Sequence, residues 1–201
     1  MHHNPAMPSD LSILQSALAD LPPPAPRPIL VLVCGLPGSG KSYFTRRLIE
    51  EVPLACVQSD VMRKALFPRP IYSEQESARL FPALHLLIHR LLQRRIPVLF
   101  DATNLNERNR APLYRLTDEL DAKLFIVFTT APQNVIKARL DTREKGSLEA
   151  ACSDASWTVY LKMLPGVQLP KRDHLLVDTS KDITPTVEKL AHRLREVLPL
   201  T

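Results

Sequence analysis

Glycine is scarce in this chain of 201 residues, with five in all. Three of them, Gly35, Gly38 and Gly40, fall within one six-residue stretch. Glycine is placed where backbone must turn sharply or approach a ligand closely, so the scarcity singles that stretch out. Cysteine is also sparse. Cys34, Cys56 and Cys152 make neither a CxxC pair nor a disulfide framework, which fits a reducing, cytoplasmic compartment. Long hydrophobic runs are missing too. The longest, Ile29 to Cys34, is far too short to span a bilayer, so no membrane partner is expected. No charged segment, apolar core and cleavage site open the chain, so secretion is not indicated. Two histidines, His2 and His3, are too few to read as a purification tag.

What is present is ordinary globular material: 45% hydrophobic and 23% charged residues, enough for one core. That balance excludes a disordered chain, a collagen and a coiled coil. The net charge of +5 suits a polyanionic partner such as a nucleotide or nucleic acid.

Residues 1–28 stand apart. They hold seven of the nineteen prolines and end in Pro22-Pro23-Pro24-Ala25-Pro26-Arg27-Pro28, a run expected to form a stiff extended linker. Before it, Leu11, Leu14, Leu18 and Leu21 recur at helical spacing behind Ser9, a candidate cap. That short amphipathic helix reads either as a cover for the core or as a docking segment for a partner.

Residues 29–201 alternate strand-like and helical patterns. Strands are predicted at Ile29–Cys34, Leu54–Val57, Val98–Phe100, Leu124–Phe128 and Leu175–Val177. Helices are predicted at Lys41–Glu51, Val61–Leu66, Glu74–Arg94, Glu107–Leu120, Pro132–Glu144, Asp154–Leu164 and Thr184–Leu198. Five apolar strands separated by helices predict a three-layer α/β domain with a mostly parallel sheet and helices on both faces. Ligands of such sheets bind beyond the carboxyl ends of the strands.

The stretch after the first strand, Gly35-Leu36-Pro37-Gly38-Ser39-Gly40-Lys41-Ser42, matches GxxxxGK[ST] in full, with strand before and helix pattern after. Its amides can wrap phosphate, helped by the positive end of the following helix. Lys41 can reach the outer phosphates and Ser42 can ligate Mg²⁺. The candidate nucleotide-binding set runs from Gly35 through Ser42 into Tyr43, and ATP with Mg²⁺ is the expected ligand pair. A guanine-reading Asn-Lys-x-Asp string, an Asp-x-x-Gly switch and an ABC-type glycine signature are all missing, whereas a small kinase needs only the cradle, a metal carboxylate, an acceptor-side base and a cationic lid.

Two strand ends carry carboxylates. Asp60 follows the second strand and reads either as a general base for an attacking hydroxyl or as a helix cap. Arg63, one turn on, can share its face and hold an anionic acceptor. Asp101 ends the third strand after apolar residues, a Walker B pattern for orienting Mg²⁺. Ala102-Thr103-Asn104-Leu105-Asn106 follows, polar enough to read an acceptor or simply to form a loop and cap. Arg139 and Arg143, four apart, read either as cations over a transferring phosphoryl group or as a solvated basic face. His85 and His89 lack a Glu partner and a third ligand, and sit off the apolar stripe of their helix.

With Gly35–Ser42, Ser59-Asp60-x-x-Arg63, Asp101-Ala102-Thr103-Asn104-Leu105 and Arg139-x-x-x-Arg143 in this order, the chain resembles the stand-alone P-loop kinases of the AAA_33, or predicted-kinase, type. Relatives of that group include the kinase domain of phage polynucleotide kinase, chloramphenicol phosphotransferase and the zeta toxins. The resemblance implies a nucleotide-kinase-like P-loop fold and ATP-dependent phosphorylation of a hydroxyl. Asp60 would be the base and Arg63 would hold the acceptor's neighbouring phosphate. Asp101, Thr103 and Asn104 would lie on the acceptor or metal side, and Arg139 and Arg143 would come from a lid between about 139 and 153. The stretch from Asp101 to Asn106 is most similar to the polynucleotide 5′-hydroxyl kinase. A small metabolite or antibiotic is the alternative acceptor, and a nucleotide-dependent binding module the alternative of another class.

Overall fold

The computed structural model describes residues 9–144 and 156–198. The strands are β1 (Ile29–Cys34), β2 (Ala55–Gln58), β3 (Val98–Asp101), β4 (Lys123–Thr130) and β5 (Leu175–Asp178). The helices are α1 (Asp10–Ser16), α2 (Lys41–Glu51), α3 (Ser59–Leu66), α4 (Glu74–Gln93), α5 (Glu107–Glu119), α6 (Gln133–Glu144), α7 (Trp157–Met163) and α8 (Thr184–Arg195). The strands form one sheet in the order β2-β3-β1-β4-β5, and every described pairing is parallel. The expected mostly parallel sheet is therefore wholly parallel across these strands.

β1 lies at the centre because all six of its side chains are apolar and buried, as a strand covered on both faces requires. Its side chains alternate. Leu30, Leu32 and Cys34 enter one core with α4, α5 and Leu11 and Leu14 of α1. Ile29, Val31 and Val33 enter a second core with Phe44 and Leu48 of α2 and Val187, Leu190 and Leu194 of α8. A third, smaller cluster joins Leu36 of the glycine loop to Ile136, Leu140 and Tyr160, where Trp157 stacks on Tyr160 at 4.8 Å. The loop is thus seated against α6 and α7.

Several boundaries moved from their expected places; α3 starts two residues early at Ser59 and β4 runs on to Thr130, and three others show why. α1 is capped by Ser9 as expected, yet stops at Ser16 and not at Leu21. Pro22 disfavours helical backbone at Leu21, and the proline run pulls the segment extended. β2 sits one residue later than its apolar run, in register with β3 so that Gln58 pairs with Asp101. The last helix ends at Arg195, and Val197 and Leu198 fold back in turns onto Leu194 O at 3.0 and 2.9 Å.

The proline run does not swing free. Ala25 is buried and its N–H donates to Arg95 O at 2.7 Å, Arg27 pairs with Asp121, and Lys123 N–H donates to Pro28 O at 2.8 Å. It is a strap across the amino-terminal end of the sheet. No helix among the described residues is long and apolar enough to cross a membrane.

Candidate active site

The loop between β1 and α2 needs its glycines. Gly40 has φ +89°, and a Cβ there would fall 2.5 Å from Thr179 Oγ1. Gly35 has φ +146°, and its Cβ would meet Thr129 and Ser39 oxygens at 2.6 Å. Left-handed backbone and crowding together exclude any other residue. Side chains brace the turn from below. Ser39 Oγ and Thr129 Oγ1 are 2.7 Å apart, and Thr129 Oγ1 donates to Cys34 O at 3.2 Å. Thr179, just past β5, donates to Ser39 O at 2.8 Å. Gly35 N–H donates to Thr103 O at 3.1 Å, tying the loop to the end of β3. Leu36, Pro37 and Ser39 are buried beneath the loop, while Tyr43 is 38% exposed on α2.

Lys41 opens α2, and its Nζ donates to Gly35 O and Leu36 O at 3.0 and 3.1 Å, folding back over the loop. Ser42 Oγ donates to Asp101 Oδ2 at 3.3 Å. Thr45 and Gln58 donate to the same oxygen at 3.5 and 3.4 Å. Asp101 pairs with Val33 on one side and Gln58 on the other, which holds it in mid-sheet at the carboxyl end. Burial pushes its carboxyl above the usual range. Lys41 and the hydrogen bonds from Gln58 and Ser42 pull it back, while the nearby charge of Asp60 acts with burial. A buried carboxylate beside a serine hydroxyl is an oxygen donor set of the kind Mg²⁺ takes. The residues present therefore fit the expected metal at Ser42 and Asp101.

Asp60 is the second residue of α3, and Gln58 holds the cap position with no side-chain cap bond. Asp60 is half-buried and close enough to Asp101 for their charges to interact. Arg63 differs from the cation expected to face an acceptor. It is 6% exposed, donates to Glu76 Oε2 and Ser77 Oγ at 3.1 Å each, and lies 5.0 Å from the Tyr72 ring. Glu76 also accepts from the Ile71 and Tyr72 amides, so one carboxylate holds Arg63 and closes the loop before α4.

Asn104 lies beyond β3 with φ +40°, and its Nδ2 is buried without a hydrogen-bond partner. Asparagine tolerates that backbone better than most residues. Its carbonyl accepts from Arg110 Nη1 at 2.7 Å, and Arg110, fully buried, also reaches Gln168 O at 2.7 Å. Arg139 projects from α6 to the loop, where Nη1 donates to Gly38 O at 3.2 Å and to Thr179 Oγ1 at 2.8 Å, and Nη2 donates to Thr179 O at 2.8 Å. The side chain of Arg143 and residues 145–153 of the expected lid lie outside the described residues. Cys34 and Cys56 have thiols pushed up to about 12, mainly by burial, so neither supplies a thiolate.

Sequence reasoning placed Lys41, Ser42, Asp60 and Asp101 at one end of the sheet, and the structure brings them together. It missed Gln58, Thr129 and Thr179 as supports of the loop and of Asp101. The signal for Thr179 was its place just beyond a strand; nothing local marked Gln58 or Thr129.

A glycine cradle between a central strand and a helix, with a carboxylate on the neighbouring strand, defines a P-loop α/β fold. The AAA_33 family model, described as an AAA domain, matches residues 30–169, and the chain belongs to that family. Solved structures share the fold. Kti12 from Chaetomium thermophilum in complex with ADP-AlF3 is 16% identical with a TM-score of 0.68, covering 85% of this chain and 100% of that one. The Mycobacterium tuberculosis APS kinase CysC in complex with AMPPNP and APS is 21% identical with a TM-score of 0.63, covering 87% and 99%. A chain of the Pnkp1/Rnl/Hen1 RNA repair complex is 24% identical with a TM-score of 0.59, covering 70% of this chain and 44% of that one. No curated protein sequence matches the chain.

Proposed function

We propose that the protein is an ATP- and Mg²⁺-dependent phosphotransferase that moves the γ-phosphate to a hydroxyl. The observation that carries this reading is the buried Asp101 carboxylate, hydrogen-bonded by Ser42 at the mouth of a glycine loop already covered by Lys41. The loop amides and Lys41 bind and orient the triphosphate. Ser42 and Asp101 would hold Mg²⁺, which when bound would neutralise phosphate charge. Asp60 accepts the proton of the acceptor hydroxyl. The acceptor oxygen bonds to the γ-phosphorus as the bond to the β–γ bridging oxygen breaks, and ADP departs. Arg139, anchored between the loop and Thr179, adds positive charge from the end of a lid placed at 139–153. Arg143 would share that role.

Two acceptors remain in view. Motif likeness around Asp101–Asn104 supports a polynucleotide 5′-hydroxyl. The grip of Glu76 on Arg63 favours a small alcohol instead, because an acceptor phosphate would have to displace a half-buried carboxylate from the buried guanidinium it holds. The two related solved structures whose ligands are named hold ADP-AlF3 in one case, and AMPPNP with APS in the other, consistent with a nucleotide donor. A binding module that docks through residues 1–27 is disfavoured, since Leu11 and Leu14 are buried in the domain's own core.

The test is γ-labelled ATP with Mg²⁺ and a panel of 5′-hydroxyl oligonucleotides, nucleosides and sugars. Label should pass to an acceptor, and Asp60→Asn should lower that rate by roughly a hundred- to ten-thousand-fold. Normal turnover by Asp60→Asn would remove the base assignment.

A further inference from the structure

We propose that α1 and the turn after it form an acceptor-selecting element. They supply an apolar wall for the body of the hydroxyl acceptor and brace α3, the helix that carries Asp60. This rests on the phosphotransferase reading above.

The family match begins at residue 30, so α1 and the strap lie outside it. Yet α1 is built into the domain. Leu14 is fully buried and Leu11 nearly so, in one cluster with Met62 and Leu66 of α3 and Leu80 and Leu84 of α4. Asp10 receives two hydrogen bonds from Arg79 of α4, at 2.7 and 2.5 Å. An exposed pair of this kind adds little stability, but it fixes the register of α1 along α4. The strap fixes the other end through Ala25 and Arg27.

α3 needs such a brace. It has eight residues, too few to hold helical form alone, and it follows β2, which among the described residues pairs with β3 alone. Its place is set by what packs on Met62, Arg63 and Leu66. Two of these share one core with Leu11 and Leu14 of α1, which packs on α3, and the Glu76 pair holds the third. A shift of α3 would carry Asp60 with it.

The wall is visible in the cavity. Ala17 and Ala19 line the same open cavity of about 1270 Å³ as Ser42, Gln58 and Arg139. Tyr43, Ile49 and Val61 line it too, each more than one-third exposed. Exposed apolar side chains that share one cavity with two alanines and with Ser42 of the phosphate loop suit a flat, apolar body. A nucleoside presents such a face; a hexose, ringed with hydroxyls, does not.

The full-length protein is tested as wild type, Ala19→Trp, Leu14→Ala and Leu14→Met. Mg-ATP affinity is read by calorimetry, and transfer from γ-labelled ATP is read with thymidine, glucose and a 5′-hydroxyl oligonucleotide. Amide exchange is followed in α3 and α2. Thymidine should be preferred to glucose. Ala19→Trp should raise the thymidine KM by roughly tenfold or more with kcat and ATP affinity kept. Leu14→Ala should speed exchange across Ser59–Leu66 by roughly tenfold or more while α2 stays protected. It should also lower kcat, and Leu14→Met should restore both. A silent Ala19→Trp, a preference for glucose, or equal loosening of α2 and α3 in Leu14→Ala overturns the inference. Wild type that binds no Mg-ATP overturns the phosphotransferase reading instead. If wild type binds Mg-ATP yet labels none of the three, the selecting wall falls, and the exchange pattern decides the brace.

Discussion

Ser42 Oγ and Asp101 Oδ2 are joined by a 3.3 Å hydrogen bond across the gap between α2 and β3. The pair couples the phosphate loop to a strand it does not touch in sequence. Its hydrogen bond favours the charged carboxylate, while burial, the larger effect, pushes the carboxyl up. Function and stability therefore pull in opposite directions at Asp101.

Asp101→Asn should stabilise the ligand-free protein at neutral pH while abolishing transfer. The folded-state carboxyl lies above its unfolded value, so the unfolded chain loses its proton first as pH rises. The stability contributed by the protonated group is present below the unfolded value and is lost as pH climbs through the folded one. The melting-temperature gap between Asp101→Asn and wild type should widen from acid towards neutral pH, as calorimetric melts would show.

Gly40→Ala should lower both stability and nucleotide affinity. A left-handed φ costs an L-residue about 1–2 kcal/mol, and the new methyl would collide with Thr179. Denaturant titration and nucleotide binding should fall together. Gly166→Ala, with open space around it, should leave binding unchanged.

Thr179→Val should lower kcat by way of Arg139. Thr179 receives Arg139 and passes the contact to Ser39 O, so removing its hydroxyl takes away one of the guanidinium's bonds and leaves those to Gly38 O and Thr179 O to hold it more loosely. The double variant with Arg139→Ala should be little worse than Arg139→Ala alone, as a shared network predicts. Steady-state kinetics on the four proteins checks this.

Much of this was legible in the chain because local rules coincide there. The six apolar residues of β1, the GxxxxGK[ST] loop and the start of α2 occur where pattern and propensity place them. The acidic strand end at Asp101 was equally readable. What could not be read depends on partners distant in sequence. Arg63 looks the same on a helical wheel whether it faces an acceptor or Glu76, thirteen residues away. Gln58 gains its role from strand register, and Thr179 from the return of β5 beside the loop. α1 was visible as an amphipathic helix, but its packing against α3 and α4 is a tertiary fact.

Asn104→Gly should leave stability unchanged or slightly raised, since glycine relieves the positive φ and the lost Nδ2 has no partner. Transfer should nonetheless fall. Melting and labelled-ATP assays separate the two effects; full activity in Asn104→Gly would remove Asn104 from the acceptor side.

The most direct measurement is calorimetric titration of the folded protein with ATP in the presence of Mg²⁺, repeated on Lys41→Ala. A single saturable site in wild type is predicted, with Lys41→Ala costing on the order of a hundred- to a thousand-fold in transfer and weakening uptake. Absence of heat with well-folded wild type, or equal uptake by both proteins, would contradict the account.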